Sequence, residues 1–210
     1  AIYIVTQQGP NVGDGATLLR RQQAGEAWQV ITQNFTQRPV RALTIVDTPK
    51  GRRLYASLQG GGIIRSIDEG ASWQATNNGL LTFSIRTIVA DPHNADLLYA
   101  ASDQQRGVYE SRDGGVNWQD ISGPELFGIS ILAMTYTNHD GGALLVGTDD
   151  GRVLARPAGS AQWAPVITMP GVGNVITLAA EPIDGQTIYA GTSNGTLLVS
   201  QNGATPGWQP

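Results

Sequence analysis

Two arginines that lie 45 residues apart, Arg41 and Arg86, could hold an anion between them. Each directly precedes a short run with the composition of a β-strand. A guanidinium group binds a carboxylate or phosphate through two parallel hydrogen bonds, so two such groups at one site would favour an anion. The alternative is two solvated arginines at strand ends, because exposed charges are usually ordinary surface residues. The corresponding later positions are Leu132 and Ile176, so no ring of arginines is predicted.

A second set of polar residues lies in predicted loops and consists mainly of acids and amides. Its members are Asp14, Asp103, Gln104, Gln105, Asp149, Asp150 and Asn194. The adjacent carboxylates of Asp149 and Asp150 could act as general acid and base, or contribute to a cation site. The alternative is turn formation, because Asp-Gly and Asn-Gly are common hairpin turns. Together with the two arginines, the candidate ligand-binding residues are Arg41, Arg86, Asp103, Arg106, Asp149 and Asp150.

Other kinds of chemistry find little support in the composition. The chain has no Cys, which excludes a disulfide scaffold and a Cys-ligated zinc site. No Ser/His/Asp arrangement and no phosphate-binding glycine loop is found, so we predict no catalytic residue, no metal and no cofactor. The net charge of −4 argues against nucleic acid as a partner. No apolar run approaches the roughly 18 residues needed to span a membrane.

The elements that would position these residues follow from an internal repeat. The five tryptophans are each 45 residues apart: Trp28, Trp73, Trp118, Trp163 and Trp208. Each repeat contains four short runs rich in Ile, Val, Leu, Tyr and Trp, bounded by Gly, Asp, Asn or Pro, which is typical of strands and turns. Four strands in about 45 residues, repeated, is the pattern of a β-propeller blade.

The sequence therefore predicts an all-β, single-domain β-propeller of about five four-stranded antiparallel blades. The expected repeats are 1–31, 38–76, 84–121, 128–166 and 174–208. The segment Ile2 to Thr6 aligns with the second strand of the later repeats, so the first blade is predicted to lack its inner strand. We expect that strand to come from beyond Pro210, unless the chain is a slice of a larger propeller.

The residues before two of the tryptophans share the pattern Ser-x-Asp-x-Gly-x-x-Trp. The matching residues are Ser66, Asp68, Gly70, Trp73, Ser111, Asp113, Gly115 and Trp118. This motif is the Asp-box, and the chain resembles the Asp-box (BNR-repeat) β-propellers. That group includes sialidases, sortilin-like receptors, xyloglucan-degrading glycoside hydrolases and photosystem II assembly factors. Asp and Ser side chains can bond to nearby backbone N–H groups, so we expect the motif to stabilise turns rather than to supply catalytic carboxylates. The resemblance likewise implies a structural role.

The family resemblance also bears on activity. A sialidase-like site implies an arginine triad and an Arg-Ile-Pro segment, which this sequence lacks. A xyloglucanase-like site implies two acids in a cleft between two large propellers, for which the chain is too short. We therefore expect a non-catalytic scaffold that binds a protein or peptide at the channel face. The alternative is a glycan-binding or glycoside-hydrolase-type propeller, or a fragment of one.

The sequence also gives expectations about processing, location and oligomeric state. Residue 1 is Ala rather than Met, so we expect a processed or trimmed chain. For the location, we expect an extracytoplasmic protein, secreted or periplasmic, rather than a cytoplasmic one. We expect a monomer, with edge pairing possible where the first blade lacks a strand.

Overall fold

The repeated apolar runs form antiparallel strands, because each is short, rich in β-branched and aromatic residues, and ends in a turn sequence. The fold is described from a computed structural model that covers residues 1–7, 15–168, 173–183 and 185–209. Asp14, one of the predicted loop acids, lies outside these residues. In the described part of the chain, the strands form five separate antiparallel sheets in sequence order.

The first and last sheets each have three strands, and the three sheets between them have four. The first sheet contains β1 (Ile2–Gln7), β2 (Ala16–Arg21) and β3 (Gln29–Thr32). The second contains β4 (Val40–Thr48), β5 (Gly51–Leu58), β6 (Gly62–Ser66) and β7 (Gln74–Ala75). The third contains β8 (Ile85–Asp91), β9 (Asn94–Ser102), β10 (Val108–Ser111) and β11 (Gln119–Asp120).

The same order continues through the last two sheets. The fourth sheet contains β12 (Ile131–Thr137), β13 (Ala143–Thr148), β14 (Arg152–Pro157) and β15 (Ala164–Thr168). The fifth contains β16 (Val175–Ala180), β17 (Ile188–Thr192) and β18 (Leu197–Ser200). Two 3₁₀ turns, Pro124–Leu126 and His139–Gly141, lie in connecting loops. None of the helices in the described residues is long and apolar enough to cross a membrane.

The two three-stranded sheets differ in which strand is missing. In the first sheet, β1 lies against β4 as β5 lies against β8, so β1 occupies the second position of its repeat. In the fifth sheet, the predicted fourth strand is reduced to one antiparallel bridge between Val199 and Gln209. That bridge is equivalent to the pair of Arg65 with Gln74 in the second sheet, and the described residues end at Gln209.

The core is divided into four apolar clusters, and each lies between two consecutive sheets. The cluster between the second and third sheets, for example, joins Tyr55 and Ile63 to Leu98 and Trp118. The sheets therefore stack face to face through buried side chains, and β4, β8, β12 and β16 line up as the inner strands of the series.

Candidate functional site

A β-bulge at the start of each inner strand positions the side chains of the candidate site. The register of pairing shifts between Val40 and Ala42, and it shifts at the same point in β8, β12 and β16. The residues left unpaired by these shifts are Arg41, Arg86, Leu132 and Ile176. A bulge redirects the side chain of the extra residue, and here it brings all four equivalent residues to the lining of one cavity.

This cavity, which we call the inner-strand cavity, has a volume of about 520 Å³. Its lining comes from the four inner strands and one loop: Arg41, Ala42, Arg86, Thr87, Asp103, Leu132, Ala133, Met134, Ile176, Thr177 and Leu178. The second and third sheets supply the charged residues, and the fourth and fifth supply Leu132, Met134 and Ile176. The cavity thus has one charged wall and one largely apolar wall.

Asp103 connects the two arginines of the charged wall. Arg41 donates a hydrogen bond to the Oδ2 of Asp103, and the guanidinium of Arg86 lies 3.7 Å from the same oxygen. The hydroxyl of Ser84 donates to Oδ1 of Asp103 at 3.1 Å. Arg86 also donates from Nε to the carbonyl oxygen of Leu132 at 2.9 Å, which links the third sheet to the fourth.

The charges in this cavity favour an anionic group. Two guanidinium groups face one carboxylate, so two positive charges minus one negative charge leave one net positive charge among the lining residues. The side chains of Arg41 and Arg86 are 29% and 40% exposed, so both remain accessible from solvent. The Asp103 carboxylate shows by its own position how a carboxylate can bridge the two arginines.

Arg106 does not join this group. It lines a separate cavity of about 540 Å³, together with Tyr109, Asp120, Phe127 and other residues between β10, β11 and the following loop. Arg106 is exposed. The structure therefore places the predicted ligand-binding arginines in two different cavities.

The paired acids Asp149 and Asp150 serve the turn between β13 and β14. Asp149 accepts a hydrogen bond from the backbone N–H of Ser130 at 3.2 Å, and its own N–H donates to the Ser130 carbonyl. Asp150 accepts from Thr148 Oγ1 at 2.5 Å and forms an ion pair with Arg152 at 2.7 Å. Burial raises the pKa of Asp150, but hydrogen bonds from Arg152 and Thr148 outweigh it and lower the pKa overall. Neither carboxylate lines the inner-strand cavity.

The first Asp-box forms a closed hydrogen-bonded turn between β6 and β7. The hydroxyl of Ser66 donates to Asp68 at 2.7 Å and accepts from the N–H of Gly70 at 2.8 Å. Asp68 accepts from both the N–H and the hydroxyl of Ser72, at 2.9 and 2.6 Å. Gly70 has φ of 97°, a conformation that L-residues with a side chain rarely adopt.

The second Asp-box, between β10 and β11, repeats this geometry. Ser111 donates to Asp113 at 2.9 Å, and the N–H of Gly115 donates to Ser111 at 2.8 Å. Asp113 also accepts from the N–H groups of Val116 and Asn117, each at 2.9 Å. All these partners lie within the turn, and Asp68 and Asp113 are both outside the inner-strand cavity.

The same hydrogen bonds explain the acidity of the two box carboxyls. Hydrogen bonds from the hydroxyl and N–H of Ser72 and from Ser66 lower the pKa of Asp68 to about 2. Desolvation raises the pKa of Asp113, but the hydrogen bonds from Asn117, Ser111 and Val116 outweigh this effect and lower the pKa to about 2. Both groups are therefore held as carboxylates, and a general acid at neutral pH would need a raised pKa instead.

The box tryptophans join one sheet to the preceding one. The indole N–H of Trp118 donates to the carbonyl of Thr76 at 2.9 Å, and that of Trp163 donates to Ile121 at 2.8 Å. Trp73 differs, because its N–H donates within its own turn to Gly70 at 3.1 Å, and its ring stacks on Phe35. The indole groups thus contribute to packing between sheets.

Several contributors to the inner-strand cavity were not among the residues singled out from the sequence. Thr87 and Met134 line the cavity, and the hydroxyl of Ser84 and the backbone carbonyl of Leu132 form hydrogen bonds with its charged side chains. The repeat alignment pointed to positions 41, 86, 132 and 176. It could not predict the bulge that turns these residues toward the cavity, because the bulged residues share no residue type. Among the described residues, no group of three or more His, Cys, Asp or Glu side chains is placed to hold a metal ion.

Comparison with known proteins gives matches among solved structures. No family model matches the chain, and no significant match was found among curated proteins. A GH74 enzyme from Niastella koreensis superposes with a TM-score of 0.75 at 17% identity, covering 99% of this chain and 36% of that one. A GH74 xyloglucanase from Xanthomonas campestris gives a TM-score of 0.70 at 20% identity, with the same coverage.

A different kind of protein matches over a larger part of its own length. YCF48 bound to D1 peptide gives a TM-score of 0.63 at 20% identity, covering 92% of this chain and 61% of that one. The chain thus spans about a third of the two GH74 proteins and less than two thirds of YCF48. At these identities the likeness concerns the fold alone, and the fold of this chain is that of the β-propellers.

Proposed function

We propose that this chain is a non-catalytic Asp-box β-propeller that acts as a binding scaffold for a protein partner. Its site is the inner-strand cavity, and its ligand is a peptide segment that carries a carboxylate next to an apolar side chain. The observation that carries this proposal is the division of the cavity into a wall with Arg41 and Arg86 and a wall with Leu132 and Ile176.

The charged wall supports recognition of a carboxylate. The incoming group would take over the position of Asp103 between the two guanidinium groups, or would bind beside it on the exposed part of Arg86. Charge-assisted hydrogen bonds to arginine are stronger than neutral ones and impose orientation. Burial of an apolar side chain against Leu132 and Ile176 would add affinity of about 25 cal/mol per Å² of apolar surface removed from water.

The proposal also agrees with the kinds of protein that share the fold. One structural neighbour is YCF48 with a bound D1 peptide, and another comes from a complex of nidogen with laminin. Each of these structures contains a complex with a polypeptide. The Asp-box turns support the scaffold interpretation, because their carboxylates are fully engaged in local hydrogen bonds.

A selection from a displayed random-peptide library tests the proposal. The wild-type chain is the target, and the Arg41→Ala/Arg86→Ala double variant is used for counter-selection. We expect enriched peptides that contain Asp, Glu or a free C-terminus beside a large apolar residue. Synthetic copies should bind the double variant at least about tenfold more weakly, which corresponds to about 1.4 kcal/mol.

The matched control is Arg52→Ala, which removes an arginine that pairs with Asp47 outside this cavity. Binding to this variant should equal wild-type binding, and wild-type binding should weaken as salt is added. Enrichment without acidic groups, or equal binding to the wild type and the double variant, would refute the assignment of the ligand.

The alternative function is that of a glycan-binding or glycoside-hydrolase-type propeller, which the likeness to GH74 proteins favours. Hydrolysis of a glycosidic bond requires two placed carboxylates, about 5–10 Å apart. Among the described residues, the inner-strand cavity is lined by one carboxylate, Asp103, which is paired with arginine, and by no aromatic side chain. A glycan array and a xyloglucan hydrolysis assay distinguish the two functions, since binding or turnover that the two arginine substitutions abolish would favour the alternative.

A further inference from the structure

Asp103 occupies a position that recurs in the third, fourth and fifth sheets. In each of them, the residue that pairs with the first residue of the inner strand is followed directly by a polar residue. The pairs are Ile85 with Ser102, Ile131 with Thr148, and Val175 with Thr192, and the polar residues that follow are Asp103, Asp149 and Ser193. These three side chains can therefore be compared directly.

In the fourth and fifth sheets, the side chain at this position holds the start of the inner strand. Asp149 accepts a hydrogen bond from the backbone N–H of Ser130 at 3.2 Å. The hydroxyl oxygen of Ser193 accepts one from the backbone N–H of Asn174 at 3.0 Å. Each partner directly precedes the inner strand, so the recurring role of this position is local and structural.

Asp103 does not have this role, because its carboxylate faces the inner-strand cavity instead. The N–H of Ser84, the equivalent backbone donor, donates to the hydroxyl of Thr82 at 3.1 Å. One carboxylate oxygen of Asp103 accepts from the hydroxyl of Ser84, and the other lies between Arg41 and Arg86. Of the three equivalent side chains, Asp103 is the one that lines the cavity.

This placement makes Asp103 compete with any anion that approaches the arginines. A ligand carboxylate and the Asp103 carboxylate need the same guanidinium donors. The side chain of Asp103 is 16% exposed, against 29% for Arg41 and 40% for Arg86. An incoming anion therefore meets the arginines from the solvent side, while Asp103 already occupies the space between them.

The position of Asp103 allows its carboxylate to turn away without loss of strand pairing. Strand β9 ends at Ser102, whose N–H donates to the carbonyl of Gly107 at 3.0 Å and closes the loop that Asp103 begins. Arg86 keeps its hydrogen bond to the carbonyl of Leu132 whether or not Asp103 is present, because that bond uses its Nε. The site therefore persists when the carboxylate leaves it.

We propose that Asp103 is an internal competitor, which lowers the affinity of the arginine pair for every anion and most strongly for doubly charged ones. The inference deepens the proposed function, on which it rests for the location of the site. Repulsion between like charges grows with the charge of the ligand, so a sulfate or phosphate group is disfavoured more than a carboxylate. Asp103 thus acts as a specificity-determining residue by means of an unfavourable contact with the wrong ligand.

Titration calorimetry with inorganic sulfate, at constant ionic strength, tests the proposal on the Asp103→Asn variant. Asn has nearly the size of Asp and keeps an acceptor oxygen for the hydroxyl of Ser84, but the substitution leaves two arginines with no carboxylate between them. Asp103→Asn should bind sulfate at least about tenfold more tightly than the wild type does. Addition of Arg41→Ala and Arg86→Ala to this variant should remove the gain.

The matched control is Asp149→Asn, the same substitution at the equivalent position of the next sheet. Asp149 lies outside the inner-strand cavity, so this variant should bind sulfate as weakly as the wild type. Thermal unfolding gives a second measurement, since a ligand stabilises the folded state that binds it. Sulfate should raise the Tm of Asp103→Asn more than that of Asp149→Asn, and circular dichroism verifies that both variants are folded.

Three results would overturn the proposal. One is equal sulfate affinity of Asp103→Asn and the wild type. Another is weaker binding by Asp103→Asn, which would show that Asp103 holds the arginines in place. The third is a gain in affinity that remains in the variant without the two arginines.

These outcomes are separate from the test of the proposed peptide ligand, because the sulfate titration contains no peptide. Failure to select any peptide would remove the proposed function and leave the sulfate result standing. A peptide that binds the wild type through Arg41 and Arg86 should bind Asp103→Asn more tightly. Weaker binding of that peptide to Asp103→Asn would contradict competition and leave the peptide site itself in place.

Discussion

Substitution of Trp118 by Phe tests whether the box tryptophans join consecutive sheets. Trp118 is buried, and its indole N–H donates a 2.9 Å hydrogen bond to the carbonyl of Thr76 in the preceding sheet. Phe keeps an aromatic ring in the interface but removes that donor and one ring of the indole. The change therefore acts on the contact between two sheets and leaves the box turn in place.

The expected magnitude has two contributions. Loss of the hydrogen bond to the Thr76 carbonyl costs about 1 kcal/mol. The smaller ring leaves a cavity of about 40 Å³, which at about 24 cal/mol per Å³ costs about 1 kcal/mol more. The free energy of unfolding should fall by about 2 kcal/mol, a change of up to about thirtyfold in the folding equilibrium.

The matched control is Trp28→Phe, the same substitution at the equivalent position of the first repeat. Trp28 is 37% exposed, and no sheet precedes its own among the described residues, so its substitution should change the free energy of unfolding by less than about 0.5 kcal/mol. Urea unfolding followed by circular dichroism measures both variants, at concentrations at which the chain is monomeric. Equal losses for the two variants, or a loss below about 0.5 kcal/mol for Trp118→Phe, would refute the argument.

Two further predictions concern charged groups. Asp68 and Asp113 have pKa values of about 2 in the folded chain, below the value of about 3.9 expected when unfolded, so their stabilisation is present above about pH 4 and is lost as the pH falls toward 2. The Asp68→Asn/Asp113→Asn variant should be less stable at neutral pH and should lose less stability over that window in urea titrations, and an unchanged pH dependence would contradict this. Arg156→Ala should lower the free energy of unfolding by about 1.5–3 kcal/mol, because it removes a buried ion pair of 3.2 Å with Glu110, which keeps Arg112 as its second partner. The exposed pair of Arg52 and Asp47 is the control, and Arg52→Ala should cost less than about 1 kcal/mol in the same assay, so equal effects would argue against a role for burial.

The strand content and the order of the sheets were predictable from the sequence. The spacing of the five tryptophans and the turn residues between apolar runs depend on local chemistry, which a single chain displays directly. The three-stranded first sheet also agrees with the alignment of Ile2 to Thr6 with later second strands. In the last sheet, the described part of the predicted fourth strand is the bridge of Val199 with Gln209.

The candidate site was only partly predictable. Repeat alignment brought Arg41 and Arg86 to equivalent positions, but it could not separate Arg106 from them or show that Asp103 bridges them. Those relations depend on where four bulges direct the side chains and on contacts between residues that are 62 positions apart, as in the pair of Arg41 and Asp103.

The sequence by itself thus determined the repeating unit of this protein, because strand period, turn residues and the Asp-box are all local features of about 45 residues. Tertiary structure alone decided which copies of equivalent residues are buried. Leu54 and Ile2 occupy the same position and are similar in size and hydrophobicity, but Leu54 is fully buried and Ile2 is 52% exposed. The physical reason is that burial depends on the neighbouring sheet: among the described residues, the sheet of Leu54 packs on the sheet before it, and no sheet covers the face that carries Ile2.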